Sequence, residues 1–174
     1  VVVRYNTQDS WDIDIPIYDI PHFTPLGKGF LGRGLNLFYR YMYFRKLNTQ
    51  MKSIIKKHNI DLVFSFANPQ DSNILGAMIK NKYNIPFVSH FSDPWYDNPY
   101  KHFSGMSALR TLQKEKFVVK QSDAIVFTNN VARDLVMKKY SKEERGKAVV
   151  IPHCFNLKDY PETSNKSKKY VISY

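Results

Sequence analysis

Four short apolar runs organise most of the chain: Leu62-Val63-Phe64-Ser65-Phe66, Phe87-Val88-Ser89-His90-Phe91, Ala124-Ile125-Val126-Phe127 and Ala148-Val149-Val150-Ile151. Each has the length of a strand, and β-branched and aromatic residues dominate them. Their near-continuous hydrophobicity predicts strands covered on both faces, as in a parallel sheet. Helical spacing fills the intervals. Ser72 to Tyr83 carries Ile74, Leu75, Met78 and Ile79 on one face. Leu109 to Gln121 carries Leu109, Leu112, Lys116 and Val119, and Val131 to Tyr140 carries Leu135 and Val136 before a basic end suited to a helix carboxyl terminus. The order β-α-β-α-β-α-β predicts an α/β fold: a Rossmann-like, doubly wound, mostly parallel sheet with helices on both faces and right-handed crossovers.

The punctuation agrees. Asn68-Pro69-Gln70-Asp71-Ser72 follows the first run, with Asp71 or Ser72 as the expected N-cap, and Asn84-Ile85-Pro86 leads into the second. The first sixty residues are less regular. Val1 to Tyr5 reads as a strand, and Trp11 to Ile20 as a second strand or extended edge. Asn36 to His58 reads as a long helix with Leu37, Tyr41, Phe44, Leu47, Met51, Ile54 and Ile55 on its apolar face. A polar, basic tail from Glu162 to Lys169 reads as a linker, and Tyr170 to Tyr174 as the start of a further strand. The expected organisation is one domain over residues 1–161, followed by a linker and the first strand of another over 162–174.

Composition narrows the class. With 174 residues the chain fits one domain, and 43% hydrophobic residues exclude general disorder. No apolar run reaches the roughly 20 residues of a membrane-spanning helix. The single Cys154 forms no staple within the chain, which points to a reducing compartment, and no cysteine-based zinc site or His-Glu-x-x-His helix is present. The net charge of +11 predicts an anionic partner. Between Ile20 and Ile60 there is no acidic residue, whereas Lys28, Arg33, Arg40, Arg45, Lys46, Lys52, Lys56 and Lys57 all fall there. A solvated face explains such a stretch equally well.

Candidate chemistry concentrates at strand ends, where parallel sheets bind ligands. Ser89-His90-Phe91-Ser92-Asp93-Pro94-Trp95-Tyr96-Asp97-Asn98 places a histidine, carboxylates and two aromatics in one loop, a mixture suited to sugars. The structural alternative has His90 as a hydrogen-bonded core residue, Asp93 capping a turn and Trp95 packed inside. Gly27-Lys28-Gly29-Phe30-Leu31-Gly32 matches G-x-G-x-x-G, but Pro25 precedes it and no acidic residue follows at the required distance, so a mobile loop is expected there. His153 and Cys154 are adjacent in an extended segment and point to opposite sides, which argues against a nucleophilic pair.

Three segments together resemble the amino-terminal domain of family-four, GT-B-type retaining glycosyltransferases. They are Asp61 to Val88 running into Phe91-Ser92-Asp93-Pro94-Trp95, Glu115 through Ser122-Asp123-Ala124-Ile125-Val126-Phe127-Thr128, and Val150-Ile151-Pro152-His153-Cys154-Phe155-Asn156. The resemblance implies the acceptor-side half of an enzyme that moves a sugar from a nucleotide-sugar donor onto a cell-envelope or polysaccharide acceptor. It implies His90 and Asp93 as catalytic-cleft residues, and Asn68, Trp95, Tyr96, Thr128 and Asn129 as substrate contacts. It implies no metal and no cofactor. The donor is expected to be held mainly by a carboxyl-terminal domain of the same chain, so this segment alone is expected to be inactive. A cytoplasmic position, peripheral at the inner face of the membrane, suits the basic segment, with Lys28, Arg33, Arg40, Arg45 and Lys46 touching an anionic bilayer or the glycan or lipid-linked acceptor.

Departures from the family pattern are specific. Ser92 stands where a His or Arg is usual before the loop aspartate, Cys154 stands for a glycine, and Asn156 for an aspartate. No two glutamates among Glu115, Glu143, Glu144 and Glu162 have the Glu-x₇-Glu spacing of a donor site. A non-catalytic glycan- or nucleic-acid-binding α/β module is the competing expectation, with nucleic acid the less favoured partner.

Overall fold

A computed structural model describes residues 1–5, 14–20, 30–67 and 70–154. Four strands, β3 (Val63–Phe66), β4 (Phe87–Phe91), β5 (Ala124–Phe127) and β6 (Ala148–Val150), form one parallel sheet in that order. Two more, β1 (Val2–Tyr5) and β2 (Ile17–Ile20), pair in parallel as a separate two-stranded sheet. Between them run α1 (Phe30–His58), α2 (Asp71–Tyr83), α3 (Gly105–Gln121), α4 (Asn130–Met137) and α5 (Lys142–Gly146). The expected α/β, Rossmann-like doubly wound class is borne out.

Alternation along β4 divides its side chains between two faces. Phe87, Ser89 and Phe91 are all fully buried, and the two phenylalanines share a core with Val118 and Val119 of α3 and Ala77 of α2. The buried Ser89 hydroxyl is partnered by Ser122 at 2.8 Å, and Ser122 also donates to the Val118 carbonyl, so no hydroxyl is desolvated without compensation. Ile125 and Phe127 of β5 and Val136, Met137 and Tyr140 complete this core. A second core gathers Leu47, Met51 and Ile54 of α1 with Ile20 of β2, Ile79 of α2 and the half-buried Val63, so α1 packs against both sheets. On the other face of β3, Phe64 and Phe66 remain 46% and 63% exposed.

Local chemistry explains the helix ends. Asn59 and Asn84 adopt the left-handed conformation, at φ 48° and 54°, which asparagine tolerates better than most residues. The Asn84 amide closes α2 on the Lys80 carbonyl at 2.9 Å. Ser141 and Glu144 form a reciprocal capping box on α5.

Several expectations need correction. The long helix begins at Phe30 rather than Asn36, so the second half of the glycine-containing segment is helical and Gly32 and Gly34 lie within it. Neither Asp71 nor Ser72 caps α2: the N-cap is Gln70 without a side-chain bond, Asp71 lies in the first turn, and Ser72 donates to the Phe66 carbonyl. The buried face of α3 is Glu115, Val118 and Val119, while Leu109 is 50% exposed. The polar Glu115 interrupts the apolar pattern and shifts the apparent face. The Val131–Tyr140 segment ends its helix at Met137, and α5 follows as a separate turn of helix. The expected linker and terminal strand lie outside the described residues.

Candidate functional site

All four strands of the larger sheet run parallel, so their carboxyl ends share one edge. β3 exits at Ala67, β4 at Ser92 and β5 at Thr128. A cleft of about 180 Å³ opens there, lined by Ala67, Gln70, Ser92, Asp93, Pro94, Trp95, Asn98, Lys101 and Phe103. It combines the indole of Trp95 with a carboxylate, two amides, a hydroxyl and an ammonium group. An aromatic face beside a few polar groups suits a hydroxyl-rich ligand with apolar C–H faces.

Asn73, fully buried on α2, ties together the two strands that end at the cleft. Its side chain accepts from the Ser65 hydroxyl at 2.5 Å and donates to the His90 carbonyl at 3.1 Å. One amide thereby fixes the ends of β3 and β4 against each other. The same Nδ2 approaches the Gln70 side-chain oxygen at 3.5 Å.

The loop from Ser92 to Ser104 is held from outside itself. Thr128 donates to the Ser92 carbonyl at 3.1 Å. Asn129 caps α4 by accepting from the Ala132 amide at 2.8 Å, and its Nδ2 donates to the Thr128 hydroxyl at 3.3 Å. Farther along, the backbone N–H of Tyr96 donates to Glu115 at 2.8 Å. Tyr140 donates its hydroxyl to the same carboxylate, also at 2.8 Å. Burial, reinforced by that carboxylate, pushes the Tyr140 hydroxyl far above its ordinary pKa, so it stays protonated as a donor.

His90 sits elsewhere. It alternates with Ser89 and Phe91, so its ring lies on the face of the sheet opposite to them and is not among the cleft's lining residues. The ring is 5% exposed and packs 4.9 Å from Phe66 and 6.0 Å from His153 between centroids. Burial first, and the neighbouring His153 second, lower its pKa below 6.5, which favours the neutral imidazole. The Ser92 hydroxyl lies 3.4 Å from its Nδ1.

The structure thus brings Asp93 and Trp95 into one cleft and places Thr128 and Asn129 as supports behind it. Tyr96 contributes its backbone to the Glu115 bond, and its ring lies beneath Lys139 at 5.6 Å. Asn68 and Lys28 lie outside the described residues. Arg33 falls within α1. Arg40, Arg45 and Lys46 are exposed on α1, near exposed Leu35, Phe38, Tyr39, Tyr41 and Met42. Arg40 stacks on Phe44 and Arg45 on Tyr41, at 5.7 and 5.9 Å. Among the described residues no helix is long and apolar enough to cross a membrane.

Residue-by-residue reading did not single out Asn73, Gln70, Lys101, Phe103 or the buried role of Glu115. A signal existed for two of them. Asn73 adjoins the apolar stripe of α2, and Glu115 sits three and four positions before Val118 and Val119; polar residues on a buried stripe mark a hydrogen-bonded purpose.

No curated protein matches the chain. Residues 15–159 match the model of the family described as Glycosyltransferase Family 4. That match spans most of the 174 residues and includes the cleft, the Ser92–Ser104 loop and the buried Glu115. The chain belongs to Glycosyltransferase Family 4.

Proposed function

We propose that this chain is the acceptor-side domain of a GT-B-type, retaining hexosyltransferase that moves a sugar from a nucleotide donor to a cell-envelope or polysaccharide acceptor. The observation that carries this reading is the cleft at the ends of β3 and β4, where Trp95 stands beside Asp93, Gln70, Asn98 and Lys101. The indole would stack on a sugar ring, and the carboxylate and amides would bond its hydroxyls. Asp93 is the group best placed to orient a reacting hydroxyl. His90, held neutral on the other face of β4, would take part from the side of His153. The donor would be held mainly by a carboxyl-terminal domain of the same chain, without a metal.

Binding to an array of envelope and capsular glycans tests the reading. Binding lost in Trp95→Ala and in Asp93→Asn supports it. Binding that survives both substitutions, or detectable turnover of a nucleotide sugar by this chain alone, would contradict it.

The exposed aromatic and basic side chains of α1 between Leu35 and Lys46 support a second contact, with an anionic membrane surface. The acceptor would then be lipid-linked, and the protein cytoplasmic and peripheral at the inner face. Each Lys or Arg near such a surface adds roughly 1 kcal/mol.

A further inference from the structure

Asp93-Pro94-Trp95, the most chemically equipped part of the cleft wall, lies between two external anchors. On its amino side, Thr128 holds the Ser92 carbonyl at 3.1 Å. On its carboxyl side is a cluster built around a fully buried carboxylate. Glu115, 0% exposed on α3, accepts from the Tyr96 amide, the Tyr140 hydroxyl and the Lys139 ammonium, each at 2.8 Å. Lys139, 20% exposed, also pairs with Asp97 of the loop. The same ammonium lies over the rings of Tyr96 and Tyr140, at 5.6 and 5.3 Å. One cation therefore bridges two carboxylates, one on a core helix and one on the loop.

Burying a carboxylate is costly unless it is fully paired, and a buried ion pair is weak evidence for stability in itself. Apolar side chains would fill this space between α3 and the end of α4. What they could not do is grip the loop: two of the cluster's contacts fall on consecutive loop residues, Tyr96 through its amide and Asp97 through its carboxylate. We infer that Glu115 and Lys139 are positioning residues, which act through Tyr96 and Asp97 to hold Trp95 and Asp93 in the geometry that the ligand meets. This inference rests on the cleft being the ligand site. Loop order is nevertheless measurable without any ligand, so failure to bind glycans would overturn the site reading and leave the tether standing.

The experiment uses Lys139→Met and Lys139→Arg in a Trp11→Phe background, where Trp95 is the single tryptophan. Amide exchange by NMR reports Tyr96, and acrylamide quenching reports Trp95. In Lys139→Met the Tyr96–Glu115 bond keeps both partners, but the loop loses the Lys139–Asp97 pair and Glu115 loses its cation. The Tyr96 amide should therefore exchange at least about fivefold faster, more than an exposed ion pair of up to about 1 kcal/mol gives at 1.36 kcal/mol per tenfold. Trp95 should become more quenchable, while the Phe91 and Phe127 amides keep their protection. Lys139→Arg should restore both readings. An unchanged Tyr96 amide, or acceleration shared equally by Phe91 and Phe127, overturns the inference. If Lys139→Met does not fold, Asp97→Asn removes only the loop-side partner and is judged by the same pattern, with about a two- to fivefold change expected.

Discussion

Gly76 of α2 lies so close to Phe87 of β4 that a Cβ built on it would stand 2.2 Å from the ring. The helix crosses the sheet there with no room for a methyl group, and both residues are buried. Gly76→Ala should destabilise the protein by about 1–3 kcal/mol through overpacking, despite a helix-propensity gain of about 1 kcal/mol. Adding Phe87→Leu should recover part of that loss. Urea denaturation of the parent, Gly76→Ala, Phe87→Leu and the double variant provides the double-mutant comparison.

The His90 and His153 rings lie 6.0 Å apart with their planes tilted by 53°, and burial and that neighbour together keep His90 neutral to lower pH than usual. Between its lowered folded value and 6.5 the unfolded chain binds more protons at this position, so stability should rise with pH across that window. Proton NMR should place the His90 midpoint below 6.5, and His153→Asn should move it partway back, because burial remains. A midpoint at 6.5 in the parent would contradict this account.

Acid stability should depend on Asp123. Burial works against its charge, yet the Phe87 amide at 2.8 Å and Lys80 outweigh that and hold the carboxyl below its ordinary 3.8. A depressed carboxylate contributes stability that is fully present above the ordinary value and lost as pH falls through the folded one. Asp123→Asn should therefore be less stable than the parent at neutral pH, with the gap closing below 3.8. Denaturation midpoints across an acid series measure the closure.

Vesicle sedimentation tests the α1 surface. Arg45→Glu combined with Lys46→Glu should reduce binding to phosphatidylserine-containing vesicles at least tenfold, because each basic residue near the bilayer contributes roughly 1 kcal/mol. Phosphatidylcholine vesicles should bind neither protein. Salt-dependent binding to oligonucleotides without vesicle binding would point to nucleic acid instead.

The strands were legible because each is a short apolar run bounded by turn residues: β4 and β5 fall where the pattern puts them. Helix limits were less legible. Asn84 ends α2 through a left-handed backbone angle, and Glu115 disguises the buried side of α3 by placing a charge within it. The loop carrying Asp93 and Trp95 stood out by residue type. Gln70 did not, because it comes from the distant end of β3 and only folding brings it to the cleft, and Lys101, on the same loop, is one basic residue among many in this chain. His90 shows the reverse case: adjacency in sequence suggested a shared site, whereas strand alternation sends its ring to the other face.

A wall whose path is set by residues outside it has a freedom that a self-supported loop lacks. Thr128, Glu115 and Lys139 supply the outer grip, and Asn98 adds one within the loop, its side chain accepting from the Tyr100 amide at 2.9 Å, whereas Gln70 and Lys101 line the cleft without a bond to the backbone of that loop. On the proposed reading of the cleft, substitution at Gln70 or Lys101 would alter which molecule is recognised without refolding the scaffold. Divergence of specificity among descendants of this domain would proceed at those positions, with the tether inherited unchanged.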